Sequence, residues 1–387
     1  MLKKLLRFNW IMFASMVALA FIGVVFIRSA GAARTIASLQ DAWRVHAATA
    51  LFGLILYFVL AFIDYRKILD LLSTPCFLVS LILLVAVLAF GDKVYGGKRW
   101  LWFFQPSEIA KPAVILMIAN MFGKAGPTHG FKNLLIGLCL IAVPSLLILA
   151  EPDLGTALAL VPATLMMLIC ARVCLKVLVP LLATGLVGAG LILGAVHVAE
   201  TTTDLDRRDK IYTRLRHLQL KEHQLQRLKT FLDPEADPYG GGWNLKQAKI
   251  SIGSGSLSGK GLGKGEQKFL GYLPPSVSMN DFIFSVLAEE AGFVGASTVL
   301  ALFLAMLLSG LWIALRSTDD RGRLVVIGVM TLIFVHVYIN IAMSIGLMPI
   351  TGLPLPFISA GKTFLVVLLA ALGIVQSVSL HREEETT

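Results

Sequence analysis

About ten apolar blocks, each about 20 residues long, recur along this chain and limit its fold more than any other feature. A helix of about 20 residues crosses about 30 Å of hydrocarbon. In lipid the backbone must satisfy its own hydrogen bonds, and a helix does so within one segment. The blocks predict spans at 8–27, 45–63, 73–91, 107–122, 133–150, 154–171, 175–198, 282–315, 323–346 and 363–380. The block at 282–315 is too long for one straight crossing, so it must tilt or extend beyond the membrane. Composition agrees: 57% of the residues are hydrophobic and 15% charged, against about 25% charged in soluble domains. The expected fold is an all-α integral membrane protein, one polytopic domain over 1–387 with about ten transmembrane helices. The first block follows Lys3, Lys4 and Arg7 but outruns a signal-peptide core, and no cleavage pattern follows Arg28. It therefore reads as an uncleaved span.

Lys and Arg in short loops orient such a chain. Lys3, Lys4 and Arg7, then Arg66 and Lys67, Lys124 and Lys132, Arg172 and Lys176, and Arg316, Arg321 and Arg323 fall on one side if the spans alternate. That side is expected to be cytoplasmic, with both termini on it. The hydrophilic stretch 199–280, between spans seven and eight, then becomes one large extracytoplasmic loop. Its first half, Asp204 to Lys229, is dense in both charges and reads as helical; its Gly- and Ser-rich half, Gly240 to Gly265, reads as loop. The net charge of +10 does not call for nucleic acid. Part is the cytoplasmic bias, and a basic outward loop beside membrane lipids suits an anionic headgroup. Cys76, Cys139, Cys170 and Cys174 all lie in apolar blocks and suggest no disulfide framework.

Ionisable residues at the outward ends of spans are costly there, so each is a functional candidate. Lys98 and Arg99 precede Gln105-Pro106-Ser107-Glu108, and Glu108 and Lys111 stand one helical turn apart. Asp153 follows Glu151-Pro152 and suits a helix cap as well as a site. Asp281 sits where the polar loop enters an apolar helix, and Glu289 and Glu290 lie two turns further in. A cap explains Asp281 cheaply but leaves the two glutamates, which need partners or a wet cleft. Pro349 to Thr363, with Ser359 and Lys362, holds too many prolines and glycines for a helix and belongs beside a cavity. The run Gly253 to Gly265, with Lys260 and Lys264, fails the phosphate-loop pattern, because Gly follows each Lys where Ser or Thr is required. Its lysines still suit a diphosphate. His336 and Asn340 sit in one span and read as polar contacts between helices.

In this order Arg99-Trp100, Gln105-Pro106-Ser107-Glu108 with Lys111, Asp153-Leu154-Gly155-Thr156, Asp281-Phe282-Ile283-Phe284 with Glu289-Glu290, and Pro354-Leu355-Pro356-Phe357-Ile358-Ser359 resemble the SEDS family (shape, elongation, division and sporulation). Thr351-Gly352 ahead of the last motif resembles the RodA branch more than the FtsW branch. The resemblance implies ten transmembrane helices and a peptidoglycan glycosyltransferase that polymerises lipid II at the outer face of the bacterial inner membrane, for elongation and shape. It also implies a partner, a class B penicillin-binding protein that crosslinks the strand. Asp281 takes the place of the family's essential acid. Three departures stand out: Leu273 to Asn280 is longer than usual and lacks its Glu and Thr, Lys362 stands where a glycine is common, and Glu151 replaces a Gln.

The implied chemistry assigns roles. A sugar hydroxyl attacks an anomeric carbon, and Asp281 is the candidate base. The leaving diphosphate needs cations, for which Arg99, Lys111, Lys260, Lys264 and Lys362 are candidates, with Ser359 as a further ligand-facing group. Glu108 and Asp153 are candidates to orient Lys111; Glu289, Glu290 and Asn340 would support the site. Cations near Asp281 are expected to outweigh its partial burial and keep it ionised. A divalent ion, Mg or Mn, is the one cofactor considered, and Glu108 and Asp153 are candidates to help hold it. The rival readings are a flippase for the same lipid and a non-catalytic scaffold; no inverted repeat supports a transporter.

Overall fold

The computed structural model describes residues 6–32, 37–94, 97–102, 104–125, 131–151, 153–173, 175–202, 204–217, 222–270, 272, 274 and 277–382. Lys3, Lys4, Arg34, Pro152, Cys174, Leu273, Pro275 and Ser276 lie outside the described residues. The chain is almost wholly helical. Seven apolar helices come first: α1 (Trp10–Ala32), α2 (Ala42–Phe62), α3 (Tyr65–Phe90), α4 (Pro106–Ala125), α5 (Phe131–Ala150), α6 (Leu154–Cys170) and α7 (Leu175–Thr201). Three more close the chain: α11 (Ile283–Leu315), α12 (Asp320–Ile345) and α13 (Lys362–Leu380). Eight of these ten are long and apolar enough to cross a membrane; α4 carries Glu108, Lys111 and Lys124, and α6 has 17 residues. An antiparallel ribbon, β1 (Asp92–Val94) and β2 (Gly97–Trp100), leads into α4.

The last helices form the centre. α12 and α13 are buried along most of their length. α12 packs against α4, α6 and α11, and α13 lies along α2. The α2–α13 contact is close enough to require small residues: a Cβ added to Gly373 would stand 2.6 Å from the carbonyl oxygen of Tyr57. By contrast, α7 is barely buried and finds its main neighbours in the loop.

That loop is more structured than its composition suggests. α8 (Leu205–His217) and α9 (Glu222–Leu232) fold back on α7 around Val196, Ala199, Tyr212, Leu215 and Leu225. The expectation of loop from Gly240 onward is corrected: α10 (Gly241–Ser254) is a regular helix. Leu245, Ala248 and Ser251 recur at helical spacing and are buried, and Ser251 Oγ donates to Ser285 O and Glu289 Oε2 on α11.

α11 accommodates its length by breaking. Gly292 has φ 68° and ψ −165°, a combination open essentially to glycine alone. In an unbroken helix the amides of Phe293 and Val294 would pair with the carbonyls of Glu289 and Glu290. Here the Gly-rich run takes all four groups. Phe293 and Val294 donate to Ser256 and Leu257, while Glu289 and Glu290 accept from Lys260 and Gly261. These four groups are therefore satisfied in spite of the break.

Candidate functional site

Asp281 closes a π-helical turn, Val277–Asp281, just ahead of α11. Phe282 occupies the N-cap position and no side chain caps the helix, so the capping explanation of Asp281 fails. The turn is held from below. Asn340 on α12 donates to the carbonyls of Asp281 (2.9 Å) and Leu353 (2.8 Å). Ser359 donates to Asn280 O (2.6 Å) and accepts from Leu355 N (2.8 Å). The proline-rich segment between α12 and α13 thus grips the turn, and a Cβ added to Gly352 would lie 3.6 Å from Asp281 Oδ2.

Three further elements bring charge to this point. α9 supplies Arg227, which donates to Thr351 O at 2.9 Å. β2 supplies Arg99, and the start of α6 supplies Asp153; all three act electrostatically on Asp281. Asp153 does cap α6, accepting from Thr156 N and Thr156 Oγ1, and also from Gln105 Nε2 at 2.9 Å. Burial pushes the Asp281 carboxyl up to about 6, opposed by Arg227 and Arg99 and assisted by Asp153. The cations therefore do not outweigh burial, but they hold the group below neutrality, where it is mostly ionised. Arg227 itself is lowered by burial and by Arg99.

Glu108 and Lys111 form a buried pair at 2.7 Å. Lys111 also meets His336 Nε2 at 3.1 Å and the ring of Phe364. An ammonium can only donate, so Nε2 accepts and Nδ1 carries the proton toward Pro354 O at 3.3 Å. Lys111 is thus enclosed by protein rather than open to a ligand.

The two glutamates of α11 staple the Gly-rich run. Glu289 pairs with Lys260 (2.9 Å) and accepts from the amides of Glu266 and Gln267. Glu290 pairs with buried Lys268 (2.5 Å) and accepts from Ser29 on α1 and from the amides of Gly263 and Gly265. The run cradles carboxylates of its own chain. Lys264 and Lys362 are exposed.

Of the sequence candidates, then, the fold gathers Asp281, Arg99 and Asp153, supported by Asn340 and Ser359. It places Glu108 and Lys111 in a buried pair and Lys260, Glu289 and Glu290 in the staple. Arg227 was missed, because one arginine in a charge-dense helix carries no local signal. Lys268 was missed because it follows a Gly-rich stretch that reads as flexible and shows no fixed partner. Among the described residues no group of three His, Cys, Asp or Glu side chains converges to hold a metal ion.

The cell cycle protein family model of FtsW, RodA and SpoVE matches residues 9–384. The peptidoglycan glycosyltransferase MrdB of Escherichia coli is 40% identical over 311 residues, 79% of this chain and 77% of that protein. Two solved structures share the fold at 25% identity and cover 98% of this chain. A chain from a peptidoglycan synthase complex that coordinates polymerization and crosslinking has a TM-score of 0.75 over 99% of its length. The rod shape determining protein RodA of Thermus thermophilus has 0.68 over 98%. This chain is therefore a multi-pass membrane protein of the SEDS family, and a RodA-like one.

Proposed function

We propose that this chain is a peptidoglycan glycosyltransferase that polymerises lipid II at the outer face of the bacterial inner membrane. The observation that carries the reading is a carboxylate that caps no helix, Asp281, held on a turn fixed by Asn340 and Ser359 and lying in the field of two guanidinium groups, Arg99 and Arg227. Asp281 accepts the proton of the acceptor-sugar hydroxyl as that oxygen bonds to the donor's anomeric carbon. The bond from that carbon to the lipid diphosphate breaks with its electron pair on the diphosphate. Arg99 and Arg227 balance the charge that develops there. Lys264 and Lys362, both exposed, meet the anionic headgroup on approach. Asn340 and Ser359 fix the backbone of the turn and so the position of the base.

The reading places both termini in the cytoplasm and residues 199–280 outside. It assigns a class B penicillin-binding protein as partner; a solved relative comes from a peptidoglycan synthase complex, which supports it. The test is purified protein with lipid II, scored for glycan chains on a gel. Polymer formation is expected. Lipid II carried across a vesicle membrane without polymer would instead make the chain a flippase.

A further inference from the structure

Glu151 is the anomaly of the site. It lies between α5 and α6, fully buried at 0% exposure. Neither carboxyl oxygen has a hydrogen-bond partner among the described residues. A buried carboxylate with no donor is strongly disfavoured, so such a group keeps its proton. The charged groups that act on it are Arg99 on β2 and Asp153 in its own loop. Arg99 also acts on Asp281. Beyond these, Arg227 on α9 and Glu108 on α4 feel the field of Asp153.

We propose that Glu151 is held as a neutral carboxylic acid and works as a positioning residue, leaving the Arg99 guanidinium to Asp281 and the departing diphosphate. The proposal rests on the glycosyltransferase reading above. Ionised, Glu151 becomes a second anion for Arg99, only two residues from Asp153. The guanidinium is then drawn toward the α5–α6 corner and the cation field over Asp281 weakens. Burial, reinforced by Asp153 and opposed by Arg99, pushes the carboxyl up to about 9. Ionisation therefore belongs to the alkaline side of the activity profile.

Two measurements test this, on the full-length protein and on Glu151→Gln, which has the same shape and no acid proton. An infrared pH titration in detergent reads the carbonyl stretch of a protonated carboxyl. At neutral pH wild type shows that band, it disappears toward about pH 10, and the Gln variant lacks it. Lipid II polymerisation is followed over the same range. Wild type falls by about tenfold per pH unit above the ionisation of Glu151, and the Gln variant loses that limb. Should the Gln variant fold poorly, Glu151→Met, apolar and of similar length, carries the same expectation. A wild-type spectrum whose carboxyl band does not respond to the substitution overturns the proposal, as does an identical alkaline fall in wild type and variant. Absence of polymer at every pH, in wild type as well, overturns the glycosyltransferase reading and the positioning role with it. The infrared result alone then decides whether Glu151 is neutral.

Discussion

A carboxylate that must accept a proton works only when ionised, so the setting of Asp281 fixes the acid side of the activity profile. With its carboxyl near 6, polymerisation is expected to fall about tenfold per unit below that pH and to be flat from there up to the alkaline limb set by Glu151. Asp281→Asn removes the base at constant size and is expected to lower the polymerisation rate by about 10² to 10⁴, with folding intact by thermal melting. A variant near wild-type rate would move the role of base elsewhere. Arg227 holds the Asp281 carboxyl down, so Arg227→Met removes a lowering influence. The half-maximal point of the acid limb should then move to higher pH in a pH–rate series. No shift, or one toward acid, would separate Arg227 from the base. Asp281 was legible as a residue because charge at the mouth of an apolar block is rare. Its surroundings were not: Arg227 reaches it only because α9 folds back across more than fifty residues of chain, which no local pattern records.

At the scale of the element, the breaks are more informative than the regular turns. Gly292 is fixed twice, by its positive φ and by the Gly259 amide, which a Cβ would approach to 2.2 Å. Gly292→Ala is expected to destabilise the protein by about 1–3 kcal/mol, seen as a lower melting temperature and faster proteolysis in the Gly-rich run. An unchanged melt would mean that the run can detach without cost. The ten apolar helices could be read from the sequence because hydrocarbon thickness sets their length and removes most competing patterns. α10 could not, because Gly240 to Gly242 and the serines near its end obscure a period carried by only a few apolar residues. The kink in α11 was visible only as excess length. Glu289 and Glu290 stood out as costly, but the partners that satisfy them, Lys268 and the amides of the run, lie in a stretch whose sequence reads as flexible.

For the whole molecule, orientation is the testable matter. Thr213 on α8 and Thr318 between α11 and α12 are both exposed, and Thr→Cys changes little in size. In a cysteine-free background, a membrane-impermeant maleimide added outside should label Thr213→Cys and leave Thr318→Cys protected until the membrane is opened. The reverse pattern would invert the topology. The staple of Glu290 with Lys268 and Ser29 also bears on how the chain is made. It joins α1 to α11, and His46 on α2 meets the Phe357 carbonyl more than three hundred residues later. Synthesis runs from the N-terminus. The earliest helices therefore leave the ribosome with their closest neighbours not yet translated, and Lys268 emerges before the carboxylate that will neutralise it. Until α11 to α13 arrive, those faces wait in lipid or against the insertion machinery. The packing of α1 and α2 is completed only when α11 and α13 arrive.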